Sequence, residues 1–325
     1  MPSVPQAVLA AADGRRLNLI LLPTEKCNFR CTYCYEDFSV GRMTSRVVAG
    51  VKALIRSREE DLHELEIGWF GGEPLLAQDV IMDVSTAAQE AARHNSQLSY
   101  TASMTTNGYF LDIDTCTRLC ALGVSTYQIS LDGWGEGHDA TRRSATGAGT
   151  FERIWQNLLA IRDSVLPVQI LLRVHYTLAS SPHLSALIHE INLAFANDPR
   201  FSVYFKSVDR LGGENDAQIH PLGEAEKRAI EHTLERQLTN PMQIYRLPDA
   251  EGVYVCYASS ANSFVIRANG DVAKCTVALY DERNRIGLLN EDGTIALDAA
   301  RLSPWLRGLE TLDPTDLACP WAQMG

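Results

Sequence analysis

The sequence lacks any run of the roughly 18 apolar residues that a membrane-spanning helix needs. It also lacks a basic N-terminal start and an apolar h-region, since Ala7 to Ala12 is a short run of small residues, and so it reads as carrying no secretion signal. It has no excess of positive charge: 40 acidic residues outweigh 29 basic ones, a net charge of −11. That balance argues against a nucleic-acid-binding surface, which is built on a basic patch, and Arg15-Arg16 and Arg142-Arg143 are too short to make one. No internal repeat or low-complexity segment interrupts the chain. These absences point to a cytoplasmic protein with neither nucleic acid nor membrane as partner. Eight cysteines in such a reducing compartment speak for metal or catalysis rather than disulfides.

From Leu17 onward, strand-like and helix-like stretches alternate, the pattern of βα units on a parallel sheet. Strands are expected near 17–24, 66–70, 98–106, 125–131, 168–177 and 201–209. Helices are expected near 44–57, 79–94, 112–122, 150–164, 182–197 and 223–239. Several strands carry one polar face: Gln128, Ser130 and Asp132; Thr101, Ser103, Thr105 and Asn107; Arg173, His175 and Thr177. Ordinary parallel strands are apolar on both faces. A sheet curved round a cavity fits better, so the fold class expected is α/β, a partial (β/α)6 TIM-type barrel with its site at the strand C-terminal ends. After about Glu214 the pattern changes to short strands and turns, with hairpin signals at Asn269-Gly270-Asp271 and Asn290 to Gly293. The expected division is a poorly ordered N-terminal arm (1–16), the barrel (17–215), and a linker helix with a small α+β domain (216–325).

Cys27, Cys31 and Cys34, spaced C-x3-C-x2-C, put three thiols in a tight loop after the first strand. Three thiolates suit an iron–sulfur cube with one iron left open for a substrate or cosubstrate. Structural zinc wants four ligands, usually as two close pairs. Gly71-Gly72-Glu73-Pro74 ends a strand: glycines let the backbone approach a ligand, and Glu73 can accept from an ammonium group. Thr105-Thr106-Asn107-Gly108 and Ser130-Leu131-Asp132-Gly133 end two more strands with short polar side chains, although both are also good turn sequences. In the tail, Cys256 is followed after thirteen intervening residues by Gly270, after four more by Cys275, and after a further 43 by Cys319. Cys116 and Cys120 share one helix face and read as core.

Together these stretches resemble the radical S-adenosylmethionine (SAM) superfamily, in which the open iron chelates SAM and electron transfer cleaves it to a 5′-deoxyadenosyl radical. The resemblance implies a 4Fe-4S cluster on Cys27, Cys31 and Cys34. It implies a SAM site that draws on Tyr33, Gly71, Gly72, Glu73, Pro74, Thr105, Asn107, Ser130 and Asp132. The stretch His138 to Arg143 is similar to the family's loop that brings an arginine to the SAM carboxylate; Arg142 is preferred over Arg143, and Arg173 is a further contact. The C-x13-G-x4-C tail resembles the SPASM/Twitch branch, which implies a second, auxiliary 4Fe-4S cluster on Cys256, Cys275 and Cys319. The dense run of further cysteines of full SPASM domains is absent, and Ala322 stands where Twitch has its last one.

Most SPASM/Twitch relatives modify peptides, so the resemblance implies a ribosomal peptide maturase that oxidises a peptide substrate, for example by forming a crosslink. The implied partners are the peptide, an electron donor such as flavodoxin or ferredoxin, and, if barrel mouth and tail do not grip the peptide, a separate recognition protein. Sulfatase maturation is disfavoured because Thr276 replaces the aspartate that follows the second auxiliary cysteine there. Asp209, Glu214 and Tyr204 are the positional candidates for a base. The alternatives are a radical SAM dehydrogenase or rearrangement enzyme for a small molecule, and a non-catalytic metal-binding module.

Overall fold

A computed structural model describes residues 4–241, 244–245 and 253–324. In chain order the first elements are α1 (Gln6–Ala12), β1 (Arg16–Leu21), β2 (Phe29–Cys31), α2 (Ser45–Arg58), β3 (Glu64–Trp69) and α3 (Gln78–His94). Next come β4 (Ser99–Thr106), α4 (Ile113–Ala121), β5 (Val124–Leu131), α5 (Glu136–Asp139), β6 (Arg142–Ser144) and α6 (Phe151–Arg162). Then follow β7 (Gln169–Tyr176), α7 (Ser185–Phe195), β8 (Phe201–Ser207) and α8 (Glu224–Glu235). The tail holds β9 (Ser263–Ile266), β10 (Asp271–Ala273), β11 (Arg285–Leu289), β12 (Ile295–Leu297), α9 (Ala299–Thr311) and α10 (Pro314–Ala318). Six strand–helix repeats, beginning at β1, β3, β4, β5, β7 and β8, succeed one another as a partial (β/α)6 barrel requires.

Two compact units divide the chain, and both are discontinuous in sequence. One comprises residues up to 26, 40–102 and those from 247 on; the other comprises 27–39 and 103–246. β4 runs from the first into the second.

In the first unit the strand order is β12-β11-β10-β9-β1-β3. β1 pairs in parallel with both β3 and β9, and β9 to β12 form an antiparallel meander. Two of its three connections fall at the expected Asn269–Asp271 and Asn290–Gly293, where Gly270 and Gly293 have positive φ. The parallel β1–β9 ladder is why the expected boundary at 215/216 does not describe the compact units: the tail adds its first strand directly to the chain's first strand. The expected N-terminal arm is also corrected. Alanine is the best helix former, and Gln6–Ala12 is a helix that buries Val8 and Ala11, with Ala11 O accepting from Ala261 N–H.

A buried ion pair fixes the tail to the exit of β1. Arg267 donates to Glu25 through Nε (3.1 Å) and Nη2 (2.6 Å), and through Nη1 to Leu279 O, while Glu25 is fully buried. Removing one partner of such a pair strands the other charge in the interior. Arg267→Met is therefore expected to lower the unfolding free energy by roughly 3–5 kcal/mol, read from urea denaturation; an unchanged midpoint would mean that the pair adds nothing net to stability.

In the second unit β5, β7 and β8 form a parallel ladder, and β2 pairs antiparallel with β6. The six sequence-expected helices fall within a few residues of their expected ends. The β2–β6 ladder is new, because three-residue strands leave no periodicity to read.

Candidate active site

In the second unit, β6 holds the cysteine loop. The register pairs Phe29 with Ser144, Arg30 with Arg143 and Cys31 with Arg142. Thr32 N–H donates to Thr141 O and Ala145 N–H to Asn28 O, so the ladder is closed at both ends. Adjacent strand residues face opposite ways, and this sets the two arginines apart. Arg142 is buried and donates through Nη1 to the Tyr33 hydroxyl at 2.8 Å, with its guanidinium 5.9 Å from the Phe29 ring. Arg143 is exposed and donates to Ala140 O. The Nε of Arg142 is buried without a partner, as is that of Arg173. A buried guanidinium donor left open suits an anionic group such as a carboxylate.

Tyr33 and Asp132 stand at the centre of a closed network. The Tyr33 hydroxyl donates to Asp132 Oδ1 at 2.9 Å, and Thr141 Oγ1 donates to Oδ2 at 2.6 Å. His175 Nδ1 lies 3.1 Å from Asp132 Oδ1 and 3.2 Å from the Tyr33 oxygen. Burial opposes charge on Asp132, but the His175 hydrogen bond and the charge of Arg142 outweigh it and hold the carboxyl well below its usual range. Burial pulls both His175 and His138 down to about 4. Both imidazoles are therefore neutral near pH 7, and Nδ1 of His138 accepts from the Asp132 backbone N–H at 3.3 Å. The network includes Thr141 and His138 beyond the sequence-expected Tyr33, Asp132 and Arg142. His175 is the weaker sequence candidate, marked by the polar strand face that it shares with Arg173, and it is a hydrogen-bonded member of the network.

Asn107 orients the loop's first residues: its Nδ2 donates to Asn28 Oδ1 at 2.8 Å, and its Oδ1 accepts from Tyr109 N–H. Thr105 lies nearby in the strand, 3.4 Å from Gln128 Nε2. Ser130 is buried, in register with Arg173, and Arg173 is in register with Tyr204. Asp209 sits between two ammonium groups, 3.2 Å from Lys206 and 3.1 Å from Lys227. Burial raises its pKa, but the two lysines outweigh that and hold it below the normal range. A carboxylate so paired is a poor base. Glu214 is exposed, and the Tyr204 ring packs edge-on against Tyr245.

A cavity of about 680 Å³ opens beside Tyr33, Asp132, Thr141 and His175, with loops 177–180 and 215–220 as its other walls. Among the described residues, no lysine or arginine lines it.

In the first unit, Gly71-Gly72-Glu73-Pro74 packs on the residues that immediately precede Cys27 in sequence. Gly71 has φ +112°, and a Cβ there would stand 2.3 Å from Thr24 O; one on Gly72 would stand 2.5 Å from Lys26 O. The chain's own close packing therefore demands the glycines, where the sequence suggested approach to a ligand. Glu73 is fully buried and accepts from Leu75 N–H, opening a 3-10 turn at Pro74.

The same unit holds the second thiol set. Cys275 is buried, Cys256 half-buried and Cys319 exposed. Burial pushes the Cys256 thiol up to about 11, with smaller contributions from Cys275 and Cys319, which places both within electrostatic reach of Cys256. Buried Asn284 shapes the loop: Oδ1 accepts from the N–H of Lys274 and Cys275, and Nδ2 donates to Cys275 O and Ala278 O.

Both thiol sets fit iron–sulfur ligation in donor chemistry. All six thiols are free of disulfides; Phe29 N–H points at Cys27 Sγ (3.3 Å) and Val277 N–H at Cys275 Sγ (3.4 Å), the hydrogen bonds a thiolate accepts. Among the described residues, no three His, Cys, Asp or Glu side chains converge on a single metal ion. A cube places its ligands on separate irons, so its thiols need not share a point.

A model of the Radical SAM superfamily matches residues 21–178. This stretch is a radical SAM domain. The chain is 27% identical over 241 residues to a GTP 3′,8-cyclase of Photorhabdus laumondii subsp. laumondii, covering 70% of this chain and 68% of the cyclase. It is 24% identical over 196 residues to a PqqA peptide cyclase of Gluconobacter oxydans, covering 59% of this chain and 48% of that protein. Among solved structures, native anSMEcpe with bound AdoMet and Cp18Cys peptide matches with a TM-score of 0.65 at 18% identity, over 88% of this chain and 80% of that one. That likeness shows the radical SAM fold. Among the described residues, no helix is long and apolar enough to cross a membrane.

Proposed function

We propose that this radical SAM protein reductively cleaves SAM and oxidatively modifies a peptide. When bound, a 4Fe-4S group on Cys27, Cys31 and Cys34 supplies the electron for SAM cleavage, and a second on Cys256, Cys275 and Cys319 supplies an electron acceptor. The open Nε donors of Arg142 and Arg173 suit the SAM carboxylate. In the first unit, the buried Glu73 carboxylate suits an ammonium group, with Gly71, Gly72 and Pro74 fixing the backbone around it. Tyr33, held by Arg142 and Asp132, offers a ring wall, and Thr105, Asn107 and Ser130 offer short polar groups to the nucleoside. With Asp132 ionised, a neutral His175 at the cavity would carry its proton on Nδ1 toward that carboxylate, which would leave Nε2 as an acceptor.

The observation that carries the peptide reading is the cavity beside Tyr33, which no lysine or arginine lines among the described residues. A triphosphate would call for such cations, whereas a peptide side chain does not, and the one carboxylate on the wall, Asp132, would repel a triphosphate. The peptide bound in native anSMEcpe and the resemblance to a peptide cyclase support the same reading. The likeness to GTP 3′,8-cyclase favours the second reading, a small-molecule substrate.

The two are separated by adding SAM and a reductant to anaerobically reconstituted protein, then either GTP or short peptides encoded beside its gene. The peptide reading expects 5′-deoxyadenosine above the no-substrate level and loss of two hydrogens from a peptide. Turnover with GTP, and none with any such peptide, would overturn it.

A further inference from the structure

At their N-terminal ends, β1, β3 and β9 carry a polar row that the SAM chemistry does not use. The register sets Asn18 between Glu66 of β3 and Ser263 of β9, so the three side chains point to one side of the sheet. One step earlier Arg16 lies beside Glu64. These residues line a cavity of about 290 Å³, whose opposite wall includes Ala7 and Ala10 of α1. It lies at the starts of β1 and β3, whereas Cys27 and the Gly71–Pro74 stretch follow their far ends.

The charges in this cavity do not balance. Glu64 is paired with Arg16 at 2.7 Å, and Asp13 with Arg15 and His63. Glu66 has no ion pair within 4 Å among the described residues, although the Arg16 charge reaches it; it accepts from Asn18 Nδ2 at 3.1 Å. Although solvent reaches it from the cavity, the surrounding walls and then the charge of Glu64 push its carboxyl above the usual range. Independently of the acids, Ser263 is 1% exposed and its Oγ has no hydrogen-bond partner. An unsatisfied buried hydroxyl is costly, and Ser263 lines the same cavity as Asn18 and Glu66.

We propose that this cavity binds a primary alkylammonium ion, with Glu66, Asn18 Oδ1 and Ser263 Oγ taking its three N–H groups and α1 covering its aliphatic stem. Three acceptors set on three adjacent strands match an ammonium's three donors. A guanidinium wants a planar, bidentate carboxylate instead, and Glu66 already accepts from Asn18. A metal ion is disfavoured because no three His, Cys, Asp or Glu ligands gather there among the described residues. The ammonium is either that of a free amine or that of a lysine side chain.

The test is calorimetric titration of the full chain with n-butylammonium chloride, with Nα-acetyl-lysine amide, and with n-butanol as the uncharged stem. Saturable one-to-one binding of butylammonium without binding of butanol is expected, weakened about tenfold or more in Glu66→Gln and less in Ser263→Ala. Acetyl-lysine amide binding alongside butylammonium assigns the site to a lysine side chain; butylammonium alone assigns it to a free amine. Absence of saturable binding, equal uptake of butanol, or wild-type affinity in both variants overturns the proposal. Thermal melting checks that Glu66→Gln is folded; should it fail, Ser263→Ala and the butanol comparison decide. No step of this test uses SAM or iron, so it stands or falls apart from the proposed function.

Discussion

Replacing Cys27, Cys31 and Cys34 together by alanine is expected to lower the iron of anaerobically reconstituted protein from about eight atoms per chain to about four. The argument rests on two thiol sets that belong to different compact units and share no residue. The first set lies on a loop stapled by β6, where burial raises the pKa of Cys31 and pushes Cys34 up to about 11. A buried thiol with so high a pKa stays protonated until a cationic centre displaces the proton, so these are ligands that ionise on metal binding. The second set keeps its own loop through Asn284 and should retain its iron in the triple variant. An initial content of about four iron atoms falling to none would mean that the tail thiols hold no cluster, and the oxidative half of the proposed chemistry would lose its acceptor. No iron in the wild-type protein would remove the reading altogether.

The barrel's repeats were legible because each strand or helix carries its own period. In β5, Tyr127, Ile129 and Leu131 are buried as the alternation with Gln128 required. What local pattern cannot carry is pairing across long sequence distance. The β1–β9 ladder joins residues 18–21 to 263–266, and nothing near either segment announces the other. The same limit hid the Glu25–Arg267 pair, two residues from the first cysteine of the motif. Motif reading located Tyr33, Asp132 and Arg142, but it could not show that they touch. Only the register of the short β2–β6 ladder turns Arg142 inward and Arg143 out. Position alone also suggested Asp209 as a base, and two lysines, one of them on α8, argue against that role. Gly71 and Gly72 were legible as special residues, though for a different reason: they make room for Thr24 and Lys26.

Gly212 and Gly213 provide the sharpest test of how the loop after β8 supports the cysteine motif. Both have φ +95°, a region that side chains rarely adopt. A Cβ on Gly212 would meet nothing within 4 Å. A Cβ on Gly213 would stand 2.2 Å from Cys34 O and 2.8 Å from Tyr35 Cα, a clash with backbone that no rotamer change relieves. Gly212→Ala should therefore cost only the conformational strain, roughly 1–2 kcal/mol. Gly213→Ala should add overpacking of roughly 1–3 kcal/mol and push the Cys34 turn, which is closed by the Cys34 N–H to Cys31 O bond, away from its place. Urea denaturation reads the stability difference, and iron content reads the displacement. The expected result is a Gly213→Ala protein that folds less stably and loses iron from the first site, beside a Gly212→Ala protein that keeps it. Equal iron in the two variants would show that the Cys34 turn yields without losing its ligand geometry, and that the loop after β8 covers the motif without positioning it.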